Sequence, residues 1–188
     1  MTPVAVLDAS VLYPATIRSV LMFLAAFDAF RAQWSEDIHR EWTAALVRDR
    51  PDLDAKRIAR TRALMEVHLP NAMVTGYQRR IASLVLPDPD DRHVLAAALH
   101  CKASVIVTTN LKHFPKAVLS KHGILAQNPD DFVCDLIAAD RERAVLAFAA
   151  DRARMLNPPH SIAEYIAGIE TGGLKRSAAM LLNLADRL

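Results

Sequence analysis

Asp8, Glu41, Asp91 and Asn110 are the side chains whose types and positions could do chemistry together. Asp8 ends the short apolar run Val4 to Leu7. Glu41 lies about two turns into a helix opened by Ser35. Asp91 closes the acidic turn Asp88-Pro89-Asp90-Asp91, and Asn110 ends the β-branched run Val105 to Thr109. Carboxylate and amide oxygens are hard donors. A group of them suits Mg2+ or Mn2+, which keep waters and phosphate oxygens in the rest of their shell.

Each member also has an ordinary reading. An acid after a strand starts a turn, so Asp8-Ala9-Ser10 would cap the next helix. Acids in a first helical turn favour the macrodipole by a few tenths to about 1 kcal/mol each. The chain repeats that pattern at Asn128-Pro129-Asp130-Asp131, and partly at Pro51-Asp52. The downstream stretches differ. After Asp91 comes a helix of small residues, then a strand with a polar tip; after Asp131 comes a long helix. Glu41 alone reads as a solvated helix residue and Asn110 alone as a turn residue, so only the combination points to chemistry.

The elements that must position these residues alternate along the chain. Val4 to Leu7 reads as a central strand. Thr16 to Phe30 has helical spacing at Val20, Phe23, Leu24, Phe27 and Phe30. Arg31 to Trp34 suits a second strand. Ser35 is an N-cap with Glu36 and Asp37 in the first turn, and the helix it opens shows Ile38, Trp42, Ala45 and Leu46 on one face. Arg48 to Arg62 is a basic loop and helix start. Met73 to Tyr77 and Ile81 to Leu86 are short and open to either assignment.

His93 to Cys101 is an apolar helix feeding the strand Val105 to Thr109, which is half of an α/β unit. A short helix over Val118 to His122 would end at Gly123. Asn128 and Pro129 open a helix expected to run to about Met155, where Asn157-Pro158-Pro159 breaks it. Ser161 and Glu164 form a capping-box pattern, Thr171-Gly172-Gly173 ends that helix, and a last helix comes after it. The sum is a parallel α/β sheet, in which ligands bind at the carboxyl ends of strands.

Composition narrows the class. With 188 residues and 52% hydrophobic content, a sizeable core is expected and wholesale disorder is not. The net charge of +2 argues neither for nor against a nucleic-acid partner, because clustering matters more than the sum. Cys101 and Cys134 have no metal-ligand spacing, which fits a reducing cytoplasm. No signal-peptide pattern opens the sequence, and no apolar stretch reaches the roughly 18 residues of a membrane span. Residues 135–188 hold 7 basic and 7 acidic residues, so this region brings no basic patch for RNA.

Taken in order, these stretches resemble the PIN-domain ribonucleases, of the kind found as VapC toxins in bacterial toxin–antitoxin pairs. Val6-Leu7-Asp8-Ala9-Ser10-Val11-Leu12 is similar to that family's first motif, Ser35-Glu36-Asp37-Ile38 with Glu41 to its second, and Asp91 with the alanine-rich helix through Ala98 to its third. Val105-Ile106-Val107-Thr108-Thr109-Asn110, with Phe114 and Pro115, is similar to its fourth. The resemblance covers about residues 3 to 135. It implies a parallel sheet flanked by helices, with the four motifs meeting at the carboxyl edge. Residues 1–135 would be the nuclease domain and 136–188 an all-helical C-terminal extension.

The resemblance further implies metal-dependent hydrolysis of RNA. Asp8, Glu41 and Asp91 would hold Mg2+ or Mn2+, with Asn110 completing the catalytic set and Ser10 and Thr108 in support. Arg18, Lys112 and the Arg48–Arg62 cluster would meet backbone phosphates or, equally, form a solvated basic face. Among the clustered acids Asp91 is preferred to Asp88 and Asp90, because its spacing to Ala96-Ala97-Ala98 fits. Asn110 departs from the aspartate many members carry, which weighs against a firmly held second ion. The partners implied are RNA, a small inhibitory antitoxin and a second copy in a homodimer, with no membrane and a cytoplasmic location.

Two rival readings remain. The fold could serve as a silent binding module whose acids are caps. Alternatively, the chain is a phosphate-accepting receiver or a metal phosphatase, although the only lysine near a late strand tip, Lys112, lies beyond Asn110. For the extension, the stripe Val133, Leu136, Ile137, Val145, Leu146 and Phe148 demands a cover, which Ile162, Tyr165, Ile166, Ile169, Leu174, Met180, Leu181 and Leu184 could supply.

Overall fold

The computed structural model describes residues 2–156 and 158–188. In chain order the elements are β1 (Val4–Leu7), α1 (Ala9–Leu12), α2 (Ala15–Ala26), β2 (Arg31–Ser35), α3 (Glu36–Asp49), α4 (Ala55–His68) and β3 (Met73–Val74). After a 3-10 segment at Gln78–Ser83 come α5 (Arg92–His100), β4 (Val105–Val107), a 3-10 turn at Leu111–His113, α6 (Lys116–Leu119) and β5 (Leu125–Gln127). Then come α7 (Pro129–Ala139), α8 (Arg141–Ala153), α9 (Ile162–Thr171) and α10 (Lys175–Leu182), followed by a 3-10 turn at Ala185–Arg187.

The strands form one parallel sheet in the order β3-β2-β1-β4-β5. β1 pairs with β2 through Val6 and Gln33, and with β4 through Leu7 and Val107. The chain therefore builds outward from β1 on one side, then returns to the other side of β1 with β4. That reversal opens a crevice at the carboxyl ends of β1 and β4, where α/β sheets bind ligands. Ala5, Val6 and Leu7 are fully buried, as are Ile106 and Val107, so both strands are unbroken apolar runs. α5 packs against β1, β2 and β4. Its Val94-Leu95-Ala96-Ala97-Ala98 stretch is wholly buried, and small side chains let helix and sheet approach closely.

Local signals set several boundaries. Ser35 Oγ accepts from the Ile38 amide and starts α3, and Ser161 and Glu164 make a full capping box on α9. Gly123, at φ +68, stops the 3-10 turn after α6 in the left-handed region. The long helix expected from Pro129 to about Met155 is two helices. Asp140 adopts an extended φ of −151 and its side chain accepts from the Arg143 amide, ending α7 and capping α8. The break also turns Leu146 outward, while Val145 and Phe148 stay buried. Of the expected breaker Asn157-Pro158-Pro159, Asn157 lies outside the described residues; Leu156 and Pro159 form an isolated antiparallel bridge.

The C-terminal helices are built onto the sheet domain. α8 lies along α2, and α10 packs on α7 and α9. The apolar cluster is continuous from Ala5 through Phe148, Ile169 and Leu181. Position 135/136 falls inside α7. Asp151 of α8 is 1% exposed and accepts from Ser19 of α2 at 2.6 Å, Arg154 at 2.8 Å and Tyr165 of α9 at 2.9 Å. Three donors around one buried carboxylate compensate its lost hydration.

Candidate active site

Asp8 is 3% exposed and sits where β1 ends, its amide donating to the Val107 carbonyl of β4 at 3.0 Å. It holds the N-cap position of α1 yet makes no capping bond with its side chain. Asp8 Oδ2 instead accepts from Ser10 Oγ and from Thr108 Oγ1, each at 2.7 Å. Those hydroxyls are themselves fixed: Ser10 Oγ accepts from the Thr109 amide at 3.1 Å, and Thr108 Oγ1 from the Asn110 amide at 3.0 Å. The two strand tips are thus sewn together around one oxygen of Asp8, while Oδ1 takes no hydrogen bond from any described residue.

Asp91 stands at the N-cap position of α5 and likewise does not cap it. Its Oδ2 lies 2.7 Å from His113 Nδ1, and Asp88 Oδ2 lies 3.6 Å from the same nitrogen. Burial pushes the Asp91 carboxyl above the ordinary aspartate range. The charges of Asp8 and Asp88 add to that effect, against the His113 hydrogen bond. Asp8 and Asp91 therefore share one field across the β1–β4 crevice.

Glu41, on α3, meets His93 of α5: Oε1 and Nε2 are 2.7 Å apart. Burial works against charge on His93, but the Glu41 bond and the charges of Glu41, Asp37 and Asp8 outweigh it and raise its pKa. His93 so joins Glu41 of α3 to α5, the helix that starts at Asp91. Asn110 is exposed, and its backbone N–H donates to Thr108 Oγ1. Lys112 is exposed in the following turn.

Arg18 is not beside these groups. Its guanidinium donates to the carbonyls of Leu12 and of Tyr13, the latter at 3.1 Å, and lies 5.0 Å above the Trp42 ring. Burial, with the charge of Arg154, lowers its pKa to about 10. It clamps the end of α1. Arg48, Arg50 and Arg62 are held by Asp49, Asp52 and Glu36. Lys56, Arg57 and Arg60 of the same cluster are exposed.

The two Pro-Asp-Asp patterns divide sharply. Asn128 caps α7, Asp130 accepts from the amides of Arg176 and Ser177 at 2.8 Å each, and Asp131 pairs with Arg176. That copy is a cap and a clasp for α10. In the other copy Asp88 Oδ1 accepts from the Asp90 amide at 3.0 Å, Asp90 points outward, and Asp91 faces His113.

His113 and His93 contact Asp91 and Glu41, and residue spacing did not single them out. His93 lies two residues after Asp91, and His113 three after Asn110, so both were within reach of the motifs. Asp88, Asp91 and His113 offer donor atoms all within 4.8 Å of one another. Oxygen donors from two carboxylates with one imidazole fit a divalent cation.

A family model described as "PIN domain" matches residues 4–112, and one described as "VapC50 C-terminal domain" matches residues 129–183. A Mycobacterium tuberculosis protein named "Putative ribonuclease VapC50" is 43% identical over 96 residues, covering 48% of this chain and 55% of that protein. The chain thus spans about half the length of this curated relative. No solved structure matches. The PIN model spans more than half of the sequence and takes in Asp8, Glu41, Asp91 and Asn110: the chain belongs to the PIN domain family.

Proposed function

We propose that the protein is a divalent-metal-dependent endoribonuclease, the toxin of a toxin–antitoxin pair. The observation that carries the reading is the state of Asp8. It is buried at a strand tip, relieved of capping duty, oriented by Ser10 and Thr108, and set in one field with Asp91. Two carboxylates in one field repel, which favours a cation between them. The relative's name supports RNA as the substrate.

In this reading Asp8, Asp91 and Glu41 hold Mg2+ or Mn2+, directly or through water. When bound, that ion supplies Lewis acidity to a phosphoryl oxygen and lowers the pKa of a ligated water. The chain's own groups do the rest. Thr108 and Ser10 fix Asp8 Oδ2 so that Oδ1 faces the crevice. His93 orients Glu41. Asn110 reaches over the β4 tip to orient the water or the scissile phosphate, and Lys112 meets the adjoining phosphate. Arg18 acts at a distance, through the end of α1.

Residues 1–135 act as the nuclease domain and 136–188 as its helical extension. A small antitoxin covers the acidic crevice, where an arginine can pair with the carboxylates, and the toxin works in the cytoplasm as a homodimer. Among the described residues no helix is long and apolar enough to cross a membrane.

The test is cleavage of an RNA panel by the purified protein. Mg2+ or Mn2+ should support cutting, and excess chelator should stop it. Asp8→Asn and Asp91→Asn should each lower the rate by roughly two orders of magnitude or more, with unchanged melting cooperativity. Undiminished cutting in chelator, or full activity of Asp8→Asn, refutes the assignment. Acid-stable labelling by a small phosphoryl donor would favour the receiver reading instead.

A further inference from the structure

His113 is placed as a ligand is placed. It ends the one-turn 3-10 segment that leaves the tip of β4, and its amide donates to the Asn110 carbonyl at 2.9 Å. The next residue, Phe114, is 2% exposed and anchors the turn in the core. The imidazole is thereby held over the crevice, with its side chain 25% exposed toward solvent. Its Nδ1 lies 2.7 Å from Asp91 Oδ2 and 3.6 Å from Asp88 Oδ2.

Those separations suit a shared ion. Donors about 2.1 Å from an octahedral cation lie roughly 3 Å apart when adjacent and roughly 4 Å apart when opposite. The Asp88–His113 distance of 3.6 Å lies between the two values, so that pair must shift by about half an ångström to become adjacent, and the Asp91–His113 pair at 2.7 Å must open by a few tenths. The neighbouring strand-tip residue, Asn110, brings no charge. An imidazole therefore supplies the strong donor on the β4 side of the crevice.

We infer that His113 is a direct ligand of the divalent cation, together with Asp91 and Asp88, and that it makes the site select Mn2+ over Mg2+. This rests on the metal-dependent reading proposed above. Imidazole is a borderline donor: transition metals accept it readily, whereas Mg2+ holds to oxygen.

Metal binding is measured on the full chain without RNA, by calorimetry with Mn2+ and with Mg2+, and by electron spin-echo spectroscopy of the Mn2+ complex. The wild type is expected to bind Mn2+ at least about tenfold more tightly than Mg2+ and to show nitrogen coupling to the Mn2+ spin. His113→Ala and His113→Asn should both lose the nitrogen signal. Their Mn2+ affinity should fall about tenfold or more while Mg2+ affinity changes by less than about twofold.

Mn2+ bound to the wild type without nitrogen coupling overturns the ligand role of His113 and leaves the metal-dependent reading standing. A nitrogen signal that persists in both variants assigns the ligand to another residue. If neither ion binds the wild type, the metal-dependent reading falls, and the ligand role of His113 with it. The spectrum of the wild type decides the matter even if one variant folds poorly.

Discussion

His39 is fully buried beside Trp34 and Trp42, and its Nδ1 accepts the Trp42 indole N–H at 2.9 Å. Its Nε2 has no hydrogen-bond partner among the described residues, and the Glu66 carboxylate stands 3.8 Å away. Burial, helped by the charge of Arg62 and opposed by Glu66 and Glu36, pushes its pKa from 6.5 down to about 4. The neutral form is the one that folds. Its contribution to stability is complete above pH 6.5 and is lost as pH falls toward 4, amounting to about 3 kcal/mol at most. Urea unfolding at pH 7 and pH 4.5 should show this loss. His39→Asn, which keeps an acceptor for Trp42, should show a smaller loss between the same pH values. An equal loss would assign the acid sensitivity to other groups.

Legibility at this scale followed chain proximity. Asp8 and Thr108 were readable because a polar residue after a buried β-run marks a strand tip. His113 was not, because its partner Asp91 lies 22 residues away and no periodicity joins a turn to a helix start. Arg18 was legible as a cation but not as a clamp, since its place above Trp42 depends on how α2 and α3 pack.

Gly172 marks a close approach of two elements. Its φ of −73 suits any residue, so conformation does not require glycine there. Space does: a Cβ would lie 2.5 Å from Thr16 Cγ2 and 2.6 Å from Thr16 Cβ, where α9 ends against the start of α2. Gly172→Ala should cost about 1–3 kcal/mol, seen as a lower melting temperature. Gly168, inside α9, would meet nothing within 4 Å of an added methyl. Gly168→Ala should therefore stabilise by about 0.5–1 kcal/mol. If both variants shift the same way, contact with Thr16 is not what selects Gly172.

Caps were the most readable feature of the elements: Ser35, Asn128 and Ser161 all act as their neighbours suggested. The division at Asp140 was hidden, because apolar residues continue on both sides and an aspartate inside a charged helix is unremarkable in sequence. Only the extended backbone there resets the phase, which is why Leu146 leaves the core.

At the scale of the whole molecule, the C-terminal helices complete the sheet domain. α8 covers α2, and Asp151 ties the contact through Ser19 and Tyr165. A chain ending near Gln127 should expose the outer face of α2 and aggregate, and Asp151→Ala should destabilise by about 3 kcal/mol or more by stranding its partners. A soluble, cooperatively melting fragment would show that the sheet domain stands alone. The sequence revealed that the extension has an apolar stripe to bury. It could not reveal the receiving face, because Ser19 and Asp151 are 132 residues apart.

The pairing of β1 with β4 has a consequence in time. The bond from Thr108 to Asp8 joins residues 100 apart, whereas β1 reaches β2 after only the two helices α1 and α2. Closing the longer loop carries the larger entropic penalty, and distant contacts slow folding. The crevice should therefore be among the last features to form, after β1 and β2 have joined. Pulse-labelled hydrogen exchange during refolding would reveal the order: the Asp8 amide, bonded to Val107, should gain protection later than the amides of the β1–β2 ladder. On the proposed function, the chain would then hold no assembled site through most of its folding, with reactivity arriving only when the two strand tips close.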